Sequence, residues 1–139
     1  MFETVVIATD ASASAERAVA TALDLAERFD AAVHVLSVLD DDDAEHEQTV
    51  RTTFARFSER TDRPVTTAVR QGDPVEIIVG YAERVDADVV ATGTRGRDAP
   101  FSYHLGSVAE AVVRECPVPV LTVRELRGSE GSESPRTAE

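Results

Sequence analysis

Short apolar runs alternate with segments of helical period along almost the whole chain, and that alternation restricts the fold more than any other feature. Val5-Val6-Ile7-Ala8 is too short for a helix and rich in β-branched residues, so it predicts a buried strand ending at Thr9-Asp10. Behind it, Ala15, Ala18, Val19, Ala22, Leu23, Ala26 and Phe29 recur at three and four, which draws one apolar stripe along a helix that Ser12 or Ser14 can cap. Ala32 to Leu39 predicts a second strand. The run Asp40-Asp41-Asp42-Asp43 then reads as a solvated loop and the acidic first turn of a helix through Val50, Phe54 and Phe57.

Pro64 ends that helix, and Val65 to Val69 gives a weaker third strand before Gln71-Gly72. In Asp73-Pro74-Val75-Glu76, Asp takes the cap position, Pro the first helical position and Glu the third, so a helix is expected from there to about Val85. Asp88 to Thr92 predicts a fourth strand, Gly93-Thr94-Arg95-Gly96 a turn, Ser107 to Cys116 a helix and Val118 to Val123 a fifth strand. Residues 128–139 hold no large apolar group and read as a disordered acidic tail behind a single domain at 1–127. Strands that alternate with helices and are nearly continuous in apolar residues belong to a parallel sheet covered on both faces. Ligands of such folds bind at the carboxyl ends of the strands, where the strand order reverses. Asp10, Val38 to Asp40, Gln71 to Asp73 and Gly93 to Ser107 are therefore the positions that matter.

Charge narrows the chemistry. The 139 residues carry 26 acidic and 14 basic side chains, a formal −12, and all fourteen basic residues are Arg. Schiff-base chemistry and the lysine-dependent phosphate loop are excluded. Nucleic acid is disfavoured for want of clustered cations. Acid excess without lysine instead fits a salt-rich interior, as in a halophilic archaeon. The single Cys116 cannot form an internal disulfide, and no apolar run approaches about 18 residues, so a cytoplasmic protein without membrane attachment is expected.

The loop after the fourth strand carries the most specific pattern. Gly93 and Gly96 bracket a tight turn, and Gly106-Ser107 opens a helix ten residues beyond Gly96. Glycines there let a backbone approach a ligand, while the first amides of the helix and the Ser107 hydroxyl offer donors to an anion. Ser107-Val108-Ala109-Glu110 also reads as a capping box.

The ordered set Gly93-x2-Gly96-x9-Gly106-Ser107-Val108, followed by Cys116-Pro117-Val118-Pro119-Val120-Leu121, resembles the universal stress protein family in its ATP-binding branch, and the resemblance runs from Val5 to Val123. It implies a Rossmann-like five-stranded parallel sheet in the order 3-2-1-4-5, of the adenine-nucleotide α-hydrolase type, and a homodimer joined through residues 118–124. It implies ATP and Mg2+ as ligands. Ala8 and Val38 would lie around the adenine, Asp10 near the ribose or the metal and phosphates, and Gly93, Gly96, Gly106, Ser107 and Val108 around the ribose and phosphates. Arg95 and Arg97 would add positive charge. Two departures stand out: Asp10-Ala11-Ser12 replaces the Asp-Gly-Ser of many relatives, and the segment Arg97 to Leu105 has few cations.

His34 and His46 read as structural or surface residues, His104 as a lone imidazole near the phosphate loop, and Cys116 as a buried, inert thiol. No nucleophile, base and orienting group can be assembled, which favours a nucleotide sensor that changes partner binding over a turnover enzyme. Slow ATP hydrolysis with Asp10 on magnesium, and a nucleotide-free interaction protein, are the alternatives. A response-regulator receiver is excluded because Gln71-Gly72 stands where its Asp would be and no lysine exists. A flavodoxin would place its phosphate loop after the first strand and leave the Gly93 to Ser107 spacing unexplained.

Overall fold

The computed structural model describes residues 3–10, 15–39, 44–59, 61–93 and 107–123. Five strands alternate with four helices: β1 (Thr4–Ala8), α1 (Ala15–Arg28), β2 (Ala32–Leu39), α2 (Ala44–Glu59), β3 (Val65–Gln71), α3 (Pro74–Arg84), β4 (Val89–Gly93), α4 (Ser107–Glu115) and β5 (Val120–Val123). All four strand pairings are parallel, in the order β3-β2-β1-β4-β5. The central strands are the apolar ones for a reason: both faces of β1 are buried, so Val5, Val6 and Ile7 are all shut off from solvent.

Alternate residues feed two cores. Val5, Ile7, Val33, Val35 and Leu39 meet Val19, Leu23, Val50, Phe54 and Phe57 of α1 and α2 on one face. Val6, Ala8, Leu36 and Val90 meet Ile78, Tyr81, Ala82 and Val112 of α3 and α4 on the other. The Phe54 and Phe57 rings lie 6.1 Å apart in a tilted pair and fill the first core below α2.

Local chemistry sets the element ends. Asp73 is extended at φ −72° and ψ 119°, its carboxylate accepts the Glu76 N–H at 3.3 Å, and Pro74 follows, as the sequence predicts. Gly72 turns the chain at φ 141°, a region closed to other residues, and its N–H donates to the Leu39 carbonyl at 3.1 Å. Asp88 precedes β4 instead of opening it: its carboxylate accepts the N–H groups of Glu3 and Thr4 at 2.7 and 2.9 Å and so fixes the start of β1.

Four further sequence expectations need correction. Phe29 leaves the apolar stripe, because α1 ends at Arg28 and Asp30 takes a left-handed φ of 59°, which turns the ring outward to 42% exposure. β3 continues to Gln71, since Val38 and Leu39 still offer pairing partners to Arg70 and Gln71. β5 starts at Val120, two residues late, because Pro117 and Pro119 lack N–H donors; the Pro119 carbonyl nevertheless accepts from Val90 at 3.0 Å. Cys116 is partly exposed at the end of α4, where the helix hands over to the Pro117 turn.

Candidate functional site

The strand order makes β1 the central strand, and the chain leaves it in opposite directions through β2 and through β4. The carboxyl ends of β2, β1 and β4 therefore form the switch point of the sheet, the crevice where such folds take ligands. Ala8 ends β1 between its partners Leu36 and Thr92. Val38 stands two residues beyond Leu36 on the same face, partly buried against the second core. Gly93 closes β4, paired with Val123. Three of the predicted adenine and ribose positions are thus brought together on adjacent strand ends.

Asp10 follows one turn of extended chain later, held by the Thr9 N–H, which donates to the Leu36 carbonyl at 2.9 Å. Its carboxylate is partly enclosed, with Oδ2 shut off from solvent. Ser107 and Val108 open α4, and both are exposed. Since α4 connects parallel strands, its N-terminus lies at the same edge of the sheet as Asp10. The unpaired amides of that first turn give it a positive end. Ser107 is the first helical residue, just as Pro74 is in α3, so it stands inside the first turn and not at the cap position that the sequence motif suggests. Arg95, Gly96, Arg97 and Gly106 lie outside the described residues, as do Ala11, the aspartates at 40–43, His104 and the tail.

One cation that sequence reasoning missed stands beside this edge. Arg70 pairs with Val38 in the β2–β3 ladder and shares its face of the sheet. Its guanidinium carbon lies 5.6 Å from the centre of the Tyr81 ring, and one of its N–H groups donates to the Val69 carbonyl at 3.3 Å. The alternation Ala68, Arg70 gives the face from sequence alone. The neighbour requires the register. Among the described residues no group of three His, Cys, Asp or Glu side chains could hold a metal, and Asp10 is the one predicted metal ligand. A depression of about 220 Å³ lined by Arg51, Phe54, Ala55, Ser58 and Thr67 lies between α2 and β3, apart from the strand ends.

A model of the universal stress protein family matches residues 1–124. The chain belongs to the universal stress protein family. A Staphylococcus saprophyticus protein named for that family is 32% identical over 143 residues, spanning 88% of this chain and 84% of the relative. A universal stress protein of Methanocaldococcus jannaschii is 28% identical over 142 residues, with 90% and 84% covered. Among solved structures, a universal stress protein in complex with cAMP superposes with a TM-score of 0.73 at 28% identity, covering 88% of this chain and 97% of that one. One from Archaeoglobus fulgidus gives 0.70 at 26%, covering 88% and 98%. The Rossmann-like sheet in the order 3-2-1-4-5 is the fold of this family, and no helix among the described residues is long and apolar enough to cross a membrane.

Proposed function

We propose that this universal stress protein binds an adenine nucleotide, ATP with Mg2+, at the carboxyl ends of β1, β2 and β4, and acts as a sensor whose occupancy changes partner binding. The observation that carries the reading is the convergence of Ala8, Val38 and Gly93 at the switch point, with Asp10 and the α4 N-terminus on the same edge. The donor set suits the ligand: apolar Ala8 and Val38 match a base, the Asp10 carboxylate matches ribose hydroxyls or a metal, and the first turn of α4 with Ser107 matches phosphate oxygens. Magnesium would supply charge neutralisation of the phosphates. Arg95 and Arg97 would add to it, and Gly96 and Gly106 would let the loop backbone approach. A related structure with cAMP bound supports adenine nucleotides as the ligand class.

The edge of β5 supports the second half of the proposal. Val120 to Val123 are all partly exposed on the last strand of the sheet, and a second copy pairing through residues 118–124 would cover them. The excess of carboxylates and absence of lysine support a salt-rich cytoplasm as the setting. Two measurements test the reading. Acid extraction of the purified protein should release an adenine nucleotide, and Mg-ATP should bind with one site per chain in molar KCl; no nucleotide and no binding would refute it. Sedimentation should give twice the chain mass, and a monomer at all concentrations would remove the dimer.

A further inference from the structure

On the face of the sheet covered by α3, β2 and that helix meet through a polar pair. His34 Nδ1 lies 2.8 Å from the Tyr81 phenol oxygen, and the two rings meet edge to face with centroids 5.5 Å apart and planes at 72°. Tyr81 is only 5% exposed and His34 is partly buried. Val6 flanks His34 from β1 and Thr66 from β3, neither of which can take a proton. Two guanidinium groups face the phenol: Arg70 of β3 stacks on the Tyr81 ring, and Arg70 and Arg84 both act on its hydroxyl.

With a neutral imidazole, the Tyr81 O–H donates to the Nδ1 lone pair and both groups are satisfied. A protonated imidazole turns Nδ1 into a donor. The phenol oxygen must then accept, its own proton needs another acceptor in a buried site, and the imidazole carries its charge out of water. We infer that the His34–Tyr81 pair is an acid-sensitive latch that holds the C-terminal half of α3 on the sheet and releases it on mild acidification. The N-terminal end of α3 is held independently of the pair, by the Gly72 N–H to Leu39 carbonyl bond and the Asp73 cap.

Burial pushes the His34 imidazole below its ordinary 6.5, which fixes the sign. Above 6.5 the latched and open forms are both neutral, and the latch has its full strength. As pH falls below that value the open form takes up the proton first, and the closed population declines by up to about tenfold per unit until the lowered value is reached. Burial raises the Tyr81 phenol, which Arg70 and Arg84 only partly offset, so tyrosine keeps its proton throughout this range.

Hydrogen exchange of the intact chain without nucleotide, corrected for the intrinsic pH dependence of exchange, tests the latch separately from nucleotide binding. Protection of the 79–85 amides should fall about tenfold relative to the 5–7 amides between about pH 7.5 and about pH 5.5. His34→Gln, which still accepts the phenol proton but does not titrate, should abolish that dependence. Tyr81→Phe should lower protection at the higher pH several-fold. Equal pH dependence in His34→Gln, or unchanged protection in Tyr81→Phe, would overturn the inference. Should a variant fail to fold, the imidazole resonances of His34 in the unaltered protein still decide the matter: an ordinary or raised titration midpoint contradicts the latch, and a lowered one coupled to α3 shifts supports it.

Discussion

Ser37 and Asp86 occupy positions that general physical rules disfavour, and each gives a sharp test. The Ser37 side chain is 1% exposed on the α1–α2 face of β2, between Val35 and Leu39, and its hydroxyl has no hydrogen-bond partner among the described residues. An unmade hydrogen bond at such a place costs about 1–3 kcal/mol. Ser37→Ala should therefore raise unfolding free energy by about 1 kcal/mol in chemical denaturation. A loss of stability would mean that the hydroxyl is satisfied. Asp86 holds a φ of 59° in the turn from α3 to β4, with its N–H donating to the Glu83 carbonyl at 3.2 Å. Asp86→Gly should stabilise by up to about 1 kcal/mol and Asp86→Val should destabilise by about 1–2 kcal/mol. Neither position announces itself in the sequence. A serine in an apolar run gives no hint of whether its hydroxyl finds a partner, and a left-handed aspartate is visible only in the backbone.

At the scale of elements, α3 was the most legible and also holds the least legible contact. Asp73-Pro74-Val75-Glu76 marks its start because each residue answers a different need of a helix N-terminus. Its pairing with β2 was hidden, since His34 and Tyr81 are 47 residues apart and only the shared face of the sheet brings them together. The same holds for the candidate site: Val38 and Gly93 follow from strand ends and Ala8 from the family resemblance, whereas Arg70 beside Val38 needs the β2–β3 register. The strand limits that moved by two residues, at β3 and β5, lie on edge strands, where one-sided pairing weakens the apolar signal, while interior β4 shifted by one. Gly80 gives a direct test of α3. A methyl group added there meets no atom within 4 Å, so Gly80→Ala should gain about 0.5–1 kcal/mol in thermal or denaturant unfolding. No gain would point to a partner that packs on this face.

For the whole molecule, charge is the dominant long-range term. The ion pairs Arg28–Asp24, Arg51–Glu47 and Arg56–Glu16 join largely exposed side chains, and pairs of that kind contribute roughly 0–1 kcal/mol each and less at high salt. They cannot offset the repulsion of a chain at −12 in dilute buffer. Raising KCl shortens the screening length from about 10 Å at 0.1 M to about 3 Å at 1 M, so the melting temperature should rise across that range. Equal stability in both would contradict the salt-rich host. The same screening would allow an acidic protein to take up a polyanion at an edge supplied with helix amides.

The central claim, that the α4 N-terminus at the switch point receives phosphate, is tested most directly by calorimetry of Mg-ATP in molar KCl on the intact chain and on Ser107→Asp. A carboxylate in the first turn suits the helix dipole and should leave the melting temperature unchanged or raised, yet it would stand where the phosphates are proposed to bind. The unaltered protein should bind one nucleotide per chain, and the variant should bind at least about tenfold more weakly. Undiminished binding by Ser107→Asp, or no binding by either protein, would contradict it.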